Sequence, residues 1–152
     1  MLTLDKFEEA SEKVKEVILP TNLIYSEYFS ERTGNKVYLK PENMQYTGAY
    51  KVRGAYYKIS TLSEEERKRG LITASAGNHA QGVAYAAKIY GVPATIVMPT
   101  PTPLIKVNRT KVSLSQNLIV SFGYIDFAIS PMCVFCDKTS ASFFQESEDR
   151  GT

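Results

Sequence analysis

Lys51 is the residue of this sequence whose position most favours covalent chemistry. The Thr47-Gly48 pair indicates a helix start, and the apolar residues that follow have helical spacing, so Lys51 lies in or near the first turn. In that turn the helix dipole opposes an ammonium group and favours the neutral amine, which is the nucleophilic form. Lys51 is therefore a candidate Schiff-base lysine, and a solvated surface lysine, the commoner case, is the alternative. The apolar residues with helical spacing are Val52, Ala55, Tyr56 and Ile59.

A polar turn from Ser75 to His79 carries the second set of chemical groups. It joins a short apolar strand to an alanine-rich helix, so its backbone N–H groups, those of Ala76 and Gly77 included, lie at the positive end of a helix dipole. The hydroxyl of Ser75 and the amide of Asn78 add polar side chains, and Gly77 allows a tight turn. These groups predict an anion site, with His79 as a candidate general base. An ordinary helix capped by Ser75 or Asn78 is the alternative.

Short strands and helices in alternation are predicted to position these groups. Residues 71–74 and 94–98 are compact apolar strands, and the helix between them covers residues 78–90. A charged helix capped by Ser63 precedes the first of these strands, and a further strand is predicted at residues 37–39. This alternation with short connections predicts an α/β protein with a parallel, helix-covered sheet. In such sheets ligands bind beyond the carboxyl ends of the strands, which is where the polar turn begins.

The composition argues against several classes of partner. The 152 residues carry a net charge of +2, which gives no reason to expect binding to nucleic acid or to an anionic membrane. The longest apolar run, residues 118–129, is too short to span a bilayer, and the N-terminus has no apolar signal segment, so a cytoplasmic location is expected. Cys133 and Cys136 form a lone CxxC pair without further zinc ligands, and we interpret it as a chance occurrence. No metal site is predicted.

The last part of the chain differs in composition from the rest. Beyond residue 110, phenylalanine and serine are frequent, alanine nearly disappears, and no helical or alternating period persists. Residues 118–129 could include a strand, but the pattern does not place it in a βα unit. We therefore divide the chain into residues 1–111 and a divergent tail, residues 112–152. A frame-shifted end of the reading frame is one hypothesis for this tail.

Several segments resemble one enzyme family. They are residues 40–45 (KPENMQ), 47–55 (TGAYKVRGA) and 74–84 (ASAGNHAQGVA), and residues 94–99 and 103–107 match in order and spacing. Together they resemble the threonine dehydratases, also called threonine ammonia-lyases, which are pyridoxal-phosphate enzymes of fold type II, the tryptophan-synthase-β-like group. The SAGNHAQ form is closer to dehydratases than to cysteine synthases, and serine racemases are similar in the same segments.

The resemblance implies a role for each polar group of the two motifs. Lys51 would hold pyridoxal 5'-phosphate as a Schiff base and would also move the α-proton of the substrate. Asn78 would hydrogen-bond the phenolic oxygen of the cofactor. The residues that would bind the substrate carboxylate are Ser75, Ala76, Gly77, Asn78 and His79.

The resemblance also implies an activity and an architecture. The activity is deamination of L-threonine, or of serine, by β-elimination, which from threonine yields 2-oxobutanoate and ammonia. Such enzymes act in amino-acid metabolism, for example in isoleucine biosynthesis, and a full-length chain would form a homo-oligomer. The present chain would be an incomplete part of a two-domain fold-type-II enzyme, with the resemblance covering roughly residues 4–111. Two alternatives stay open: a serine racemase or other β-eliminating enzyme, and a catalytically inactive fragment or pairing partner.

Two differences from the family pattern concern the cofactor. The family usually has Ser-Phe before the lysine, whereas this chain has Ala49 and Tyr50, which keeps the ring and loses a hydroxyl. The family's glycine-rich loop for the cofactor phosphate, and the Ser or Cys facing the pyridine nitrogen, lie later than the matched segments. This sequence has no run of glycines, and Cys133 and Cys136 come too early for the second role. We therefore expect the cofactor to bind weakly.

Overall fold

The computed structural model describes residues 3–112 and 118–123. The helices are α1 (Leu4–Val14), α2 (Glu27–Thr33), α3 (Lys51–Ser60), α4 (Glu64–Arg69), α5 (Asn78–Tyr90) and α6 (Leu104–Val112), with a 3-10 turn at Glu42–Met44. The strands are β1 (Ile24–Tyr25), β2 (Tyr38–Leu39), β3 (Leu71–Ala74), β4 (Ala94–Pro99) and β5 (Leu118–Gly123).

Within the described residues, the strands form two separate sheets. β1 and β2 are a short antiparallel pair in which Ile24 lies opposite Leu39. β3, β4 and β5 form a parallel sheet in that order, with Leu71 opposite Ala94 and Ala94 opposite Leu118. Parallel neighbours need a crossover connection, and here α5 joins β3 to β4 while α6 joins β4 to β5. The predicted α/β class with a parallel, helix-covered sheet is confirmed.

Helix α5 forms the centre of the core, because it contacts both the parallel sheet and α3. Its residues Ala80, Val83 and Ala87 are at most 2% exposed. Small side chains allow a helix to approach its neighbours closely, so an alanine-rich helix suits this position between other elements. The face of α3 that the sequence predicts to be buried is confirmed: its buried residues are Val52, Ala55, Tyr56 and Ile59.

The predicted boundaries around the polar turn agree with the structure. β3 and α5 begin and end as predicted, and β4 is one residue longer than predicted, ending at Pro99. Gly91 ends α5 in the left-handed conformation, with φ of 64°. The Ser63 hydroxyl accepts a hydrogen bond from the N–H of Glu66, whose carboxylate accepts one from the N–H of Ser63, so the predicted Ser63 cap is present as a capping box. The early strand is shorter than predicted and covers Tyr38–Leu39.

The region after residue 111 differs from its prediction in one respect. The sequence pattern does not place residues 118–129 in a βα unit, but β5 follows α6 and pairs in parallel with β4 over all six of its residues. A continuous apolar run is the usual pattern of a strand buried in a parallel sheet, and the change of composition obscures it here. The division of the chain at residue 111 stays a prediction. Cys133 and Cys136 lie outside the described residues.

Residues 23–39, which we call the ribbon segment, expose much apolar surface. The sequence does not predict β1 or α2, whose first turn Ser26 caps by accepting a hydrogen bond from the N–H of Phe29. The large apolar side chains of this segment are between 44% and 63% exposed. They are Leu23, Ile24, Tyr25, Tyr28, Phe29, Tyr38 and Leu39. Within the described part of the chain, no helix is long and apolar enough to cross a membrane.

Candidate active site

Lys51 is the first residue of α3, as the sequence predicts. The turn before it depends on Gly48, whose φ of +69° is left-handed and whose N–H donates to the carbonyl of Gln45. The Thr47 hydroxyl donates to the carbonyl of Ala49 at 3.2 Å, which fixes the backbone between the turn and the helix. The Lys51 side chain is exposed, and its Nζ lies 5.1 Å from the centre of the Tyr50 ring. The amine is therefore accessible at a helix N-terminus, beside one aromatic face.

Ser75 organises the polar turn at the end of β3. Its N–H donates to the carbonyl of Val97 at 2.9 Å, which extends the β3–β4 ladder by one residue. Its hydroxyl accepts hydrogen bonds from the N–H groups of Gly77 at 3.2 Å and Ala80 at 3.3 Å. Gly77 is the N-cap residue of α5 and Asn78 is its first helical residue, while the Ser75 hydroxyl accepts from the N–H of Ala80 in the first turn from a position before the helix. The capping alternative and the anion-site prediction are compatible, because a hydroxyl that accepts from backbone N–H groups can still donate its own hydrogen.

Lys51 and His79 meet at one cleft, although they lie on different helices. This cleft, which we call the lysine cleft, has a volume of about 390 Å³. Burial is the main cause of a lowered pKa for His79, and the positive charge of Lys51 lowers it further. Near neutral pH the imidazole is therefore neutral and adds no charge beside the amine. The lining residues are Tyr50, Lys51, Arg53, Gly54, Ala55, Lys58 and His79.

The other predicted site residues lie at the turn before α5 and at its first residue. Ser75, Ala76 and Gly77 are half-buried, and Asn78 lies at the start of α5. They precede His79 along the chain and do not line the lysine cleft itself. The structure therefore brings Lys51 together with His79, and it places the remaining groups at the N-terminus of the same helix.

A partly buried ion pair that the sequence does not predict connects α3 to the 3-10 turn. Arg53 donates from Nε and Nη2 to the two carboxylate oxygens of Glu42, both at 2.8 Å. The Arg53 hydrogen bonds lower the pKa of Glu42 to about 2, with a smaller contribution from the Thr21 hydroxyl, which also donates to this carboxylate. Because Arg53 is two residues after Lys51, this pair ties the start of α3 to the 3-10 turn. The two partners are 11 residues apart and belong to separate elements, so no helical or strand period indicates them.

A larger cleft of about 750 Å³ borders the segment that leads to Lys51. Tyr46, Thr47 and Gly48 line it, and the buried side chain of Gln81 reaches it from α5. α6 contributes Ile105, Asn108 and Arg109 to its lining. The segment that carries Lys51 therefore borders one cleft on the α3 side and another on the α6 side.

The family assignment follows from comparison with known proteins. Residues 14–126 match the model of the family of pyridoxal-phosphate dependent enzymes. This chain belongs to that family. The match continues past α6 and includes β5. Pyridoxal phosphate, which the sequence resemblance implies as the cofactor, is therefore the cofactor of this family.

Two curated relatives are lyases acting on threonine, by their names. The chain is 50% identical over 149 residues to the L-threonine ammonia-lyase of Thermotoga maritima, a comparison that covers 98% of this chain and 37% of the relative. It is 53% identical over 112 residues to a catabolic L-threonine dehydratase of Staphylococcus aureus strain N315, covering 73% of this chain and 32% of the relative. The chain thus spans about a third of the length of these curated relatives.

Solved structures have the same fold over most of this chain. Maize serine racemase matches with a TM-score of 0.77 at 30% identity, covering 98% of this chain and 42% of that one. A processed threonine deaminase from Solanum lycopersicum matches with a TM-score of 0.68 at 37% identity, covering 81% and 35%. The architecture described above is therefore an incomplete part of the fold-type-II architecture.

Proposed function

We propose that this chain is part of a pyridoxal-phosphate-dependent ammonia-lyase that deaminates L-threonine or L-serine by β-elimination. From L-threonine the products are 2-oxobutanoate and ammonia. The observation that carries the proposal is the position of Lys51, an accessible amine at the start of α3 that shares a cleft with His79 at the start of α5. The identity of 50% with an L-threonine ammonia-lyase supports the choice of reaction.

The donor groups of the site fit one end of the cofactor. An accessible primary amine at Lys51 suits the aldehyde, since a neutral lysine amine attacks carbonyl carbon. The Asn78 side chain, at the start of α5, can donate a hydrogen bond to the phenolic oxygen beside that aldehyde. The described residues contain only single, separated glycines, so they do not include a glycine-rich loop of the kind that holds the phosphate. We therefore propose that Lys51 and Asn78 hold the reactive end of the cofactor.

The turn at the start of α5 is proposed to bind the substrate carboxylate. Its hydroxyl at Ser75 is already oriented by the N–H groups of Gly77 and Ala80, which leaves the hydroxyl hydrogen to donate to a carboxylate oxygen. α5 is 13 residues long, and its positive end attracts an anion at this place. The substrate would thus be oriented with its carboxylate at the turn and its amine toward Lys51.

Proton transfer is proposed to depend on Lys51 and His79. The cofactor, when bound, withdraws electrons from the α-carbon of the substrate and so makes its proton acidic. The Nζ of Lys51 would take this proton, because it is an accessible primary amine in the cleft proposed to hold the substrate. The lowered pKa of His79 keeps the adjacent imidazole neutral, so it can accept a hydrogen bond and does not oppose the protonated amine.

The proposal is tested by adding pyridoxal 5'-phosphate to the 152-residue chain and recording the absorbance spectrum. We expect a new band from cofactor bound to an amine, lost in Lys51→Ala. Lys88→Ala is the matched control, because Lys88 is exposed near the far end of α5 and should keep the band. Absence of a band in the unsubstituted chain would instead support an inactive fragment that needs a pairing partner.

A second candidate function, serine racemisation, is favoured by the match to maize serine racemase at a TM-score of 0.77. The two reactions share the removal of the α-proton and differ in the next step. Incubation with L-serine distinguishes them, because elimination releases a 2-oxo acid and ammonia whereas racemisation produces D-serine. We expect the 2-oxo acid to exceed D-serine.

The wider context of the enzyme is also proposed. A 2-oxobutanoate product would suit amino-acid metabolism, with isoleucine biosynthesis as one context. A cytoplasmic location, a homo-oligomeric full-length protein, and the lack of nucleic-acid or membrane partners stay predictions. Gel filtration would measure whether this chain self-associates, with a full-length relative run beside it for comparison.

A further inference from the structure

Gly82 lies where α5 approaches the start of α3 most closely. A Cβ atom added at Gly82 would lie 3.0 Å from the carbonyl carbon and oxygen of Lys51 and 3.1 Å from the nitrogen of Val52. A Cβ added at Gly54 or Gly77 would meet nothing within 4 Å. The space at Gly82 is therefore filled by the peptide group that joins Lys51 to Val52.

The requirement at Gly82 is one of space and not of backbone conformation. Gly82 is in the interior of α5 and is not among the glycines with positive φ. Glycine weakens a helix relative to alanine, so helix propensity alone would favour alanine here. The atoms that a side chain would meet belong to backbone, which cannot rotate away as a long side chain can. A methyl group at this position would therefore require α3 and α5 to move apart.

The face of α5 that contacts the Lys51 peptide also carries the polar residues of the candidate site. His79 and Asn78 precede Gly82 by three and four residues, the spacings that place helical residues on one face. The contact at Gly82 thus fixes the separation between the backbone of Lys51 and the helix turn that presents His79 and Asn78.

We propose that Gly82 is a positioning residue, whose missing side chain sets the distance between Lys51 and the groups at the start of α5. This proposal rests on the role of Lys51 given under Proposed function. A displacement of the reacting groups by about 1 Å can slow a reaction on the order of a hundredfold, so a shift of a few tenths of an ångström is expected to matter. Gly82 would act through the backbone of Lys51, whose peptide group is what it contacts.

The test compares Gly82→Ala with Val83→Ala in the 152-residue chain. Val83 is the next residue of α5 and is 1% exposed in the core, so its truncation destabilises the fold without adding an atom against Lys51. Thermal unfolding of both variants measures the general loss of stability. Two further measurements report on the site itself.

The first site measurement is an NMR titration of His79, the only histidine of the chain. Lys51, Arg53 and Lys58 are the charged residues that line the cleft with it. If Gly82→Ala moves α3 away from α5, His79 becomes less buried and lies farther from the charge of Lys51, so its pKa should rise toward the ordinary value. Val83→Ala should leave the His79 titration unchanged.

The second site measurement is borohydride trapping of pyridoxal 5'-phosphate at Lys51, followed by peptide mapping. Gly82→Ala should trap about tenfold more slowly than the unsubstituted chain, and Val83→Ala should trap at the unsubstituted rate. Equal results for Gly82→Ala and the unsubstituted chain in both measurements would overturn the proposal, as would equal effects of the two variants. If the unsubstituted chain forms no adduct at Lys51, the proposed function fails, and the His79 titration alone decides the role of Gly82.

A measurement on the unsubstituted chain covers the case in which Gly82→Ala does not fold. Nuclear Overhauser effects between the α-protons of Gly82 and the amide proton of Val52 should be strong, because a Cβ built at Gly82 would lie only 3.1 Å from the Val52 nitrogen. Their absence would contradict the proposed contact.

Discussion

The α3–α5 contact and the ribbon segment use apolar residues in opposite ways. Along the facing sides of α3 and α5 the side chains are small or fully buried, and backbone approaches backbone at Gly82. In the ribbon segment, β1 and β2 pair over two residues each, and every residue of both strands is exposed. A two-stranded ribbon is marginally stable by itself in water, so its large side chains need further polypeptide to cover them.

This difference indicates which part of the chain can position reacting groups by its own packing. The candidate site is built on the buried pair of helices, so Lys51 and His79 keep their separation through the core. The ribbon segment exposes its large apolar side chains, and the curated relatives, of which the matched part is about a third, have many additional residues. We therefore expect substitutions to act very differently in the two regions.

The largest difference is expected from a matched pair of isoleucines. Ile59 in α3 is 1% exposed, and Ile24 in β1 is 55% exposed. Ile59→Ala should lower the free energy of unfolding by about 2–5 kcal/mol, because it removes buried contacts and leaves a cavity. Ile24→Ala should change it by about 0.5 kcal/mol or less. Urea unfolding of both variants makes the comparison, and equal losses would contradict the division into a buried and an uncovered region.

The next effect concerns the ion pair that holds α3. The pKa of Glu42 is lowered from 4.5 to about 2 in the folded chain, so its carboxylate stabilises the fold above pH 4.5 and this stabilisation is lost as the pH falls toward 2. Side-chain exposures of 17% for Glu42 and 29% for Arg53 place the pair partly in solvent. Glu42→Gln should therefore cost about 2 kcal/mol at neutral pH.

Urea unfolding at several pH values measures this contribution. The unsubstituted chain should lose stability between about pH 4.5 and pH 2, and Glu42→Gln should lose less over the same interval. Glu27→Gln, at an exposed position of α2, is the control and should keep the pH dependence of the unsubstituted chain. A pH dependence that is the same with and without the Glu42 carboxylate would show that the ion pair does not stabilise α3.

A smaller effect is expected from the serines before α4 and α5. Ser63→Ala and Ser75→Ala should each cost about 1 kcal/mol in the free energy of unfolding, because each hydroxyl accepts from backbone N–H groups at a helix start. Only Ser75→Ala should also reduce the rise in melting temperature that a carboxylate ligand causes. Thermal shift with and without L-serine measures both effects, and equal ligand responses of the two variants would argue against a carboxylate site at the turn.

The smallest effect on stability is expected in the ribbon segment. Leu39 is 44% exposed, and Leu39→Lys should change the free energy of unfolding by about 0.5 kcal/mol or less. The substitution should nevertheless reduce association of the chain, because it places a charge on an exposed short edge strand with apolar neighbours. Light scattering against protein concentration measures this, and unchanged scattering would indicate that the ribbon segment is already covered by other residues.

The sequence predicts the elements around the site well because their signals are local. α5 has a continuous alanine-rich pattern and a stop at Gly91, and its bounds agree with the structure. Lys51 at the start of α3 follows from the turn at Gly48 and from the helical spacing after it. The two motifs could therefore be placed on their elements from residue types and spacing.

The features that the sequence does not predict depend on contacts between distant residues or on very short elements. β1 has two residues and α2 has seven, which is too few for a period to be recognised. The Glu42–Arg53 pair and the approach of Gly82 to Lys51 form only when separate elements pack. β5 is defined by its pairing with β4. The change of composition after residue 110 hides its strand pattern in the sequence.

The central claim is that Lys51 is the amine to which the cofactor attaches. The most direct measurement is borohydride reduction of the chain with pyridoxal 5'-phosphate, followed by mass-spectrometric mapping of all its lysines. The account predicts one modified peptide, the one containing Lys51, at a cofactor concentration that leaves the exposed Lys88 unmodified. Modification spread over the exposed lysines, or absent from Lys51 while present elsewhere, would contradict it.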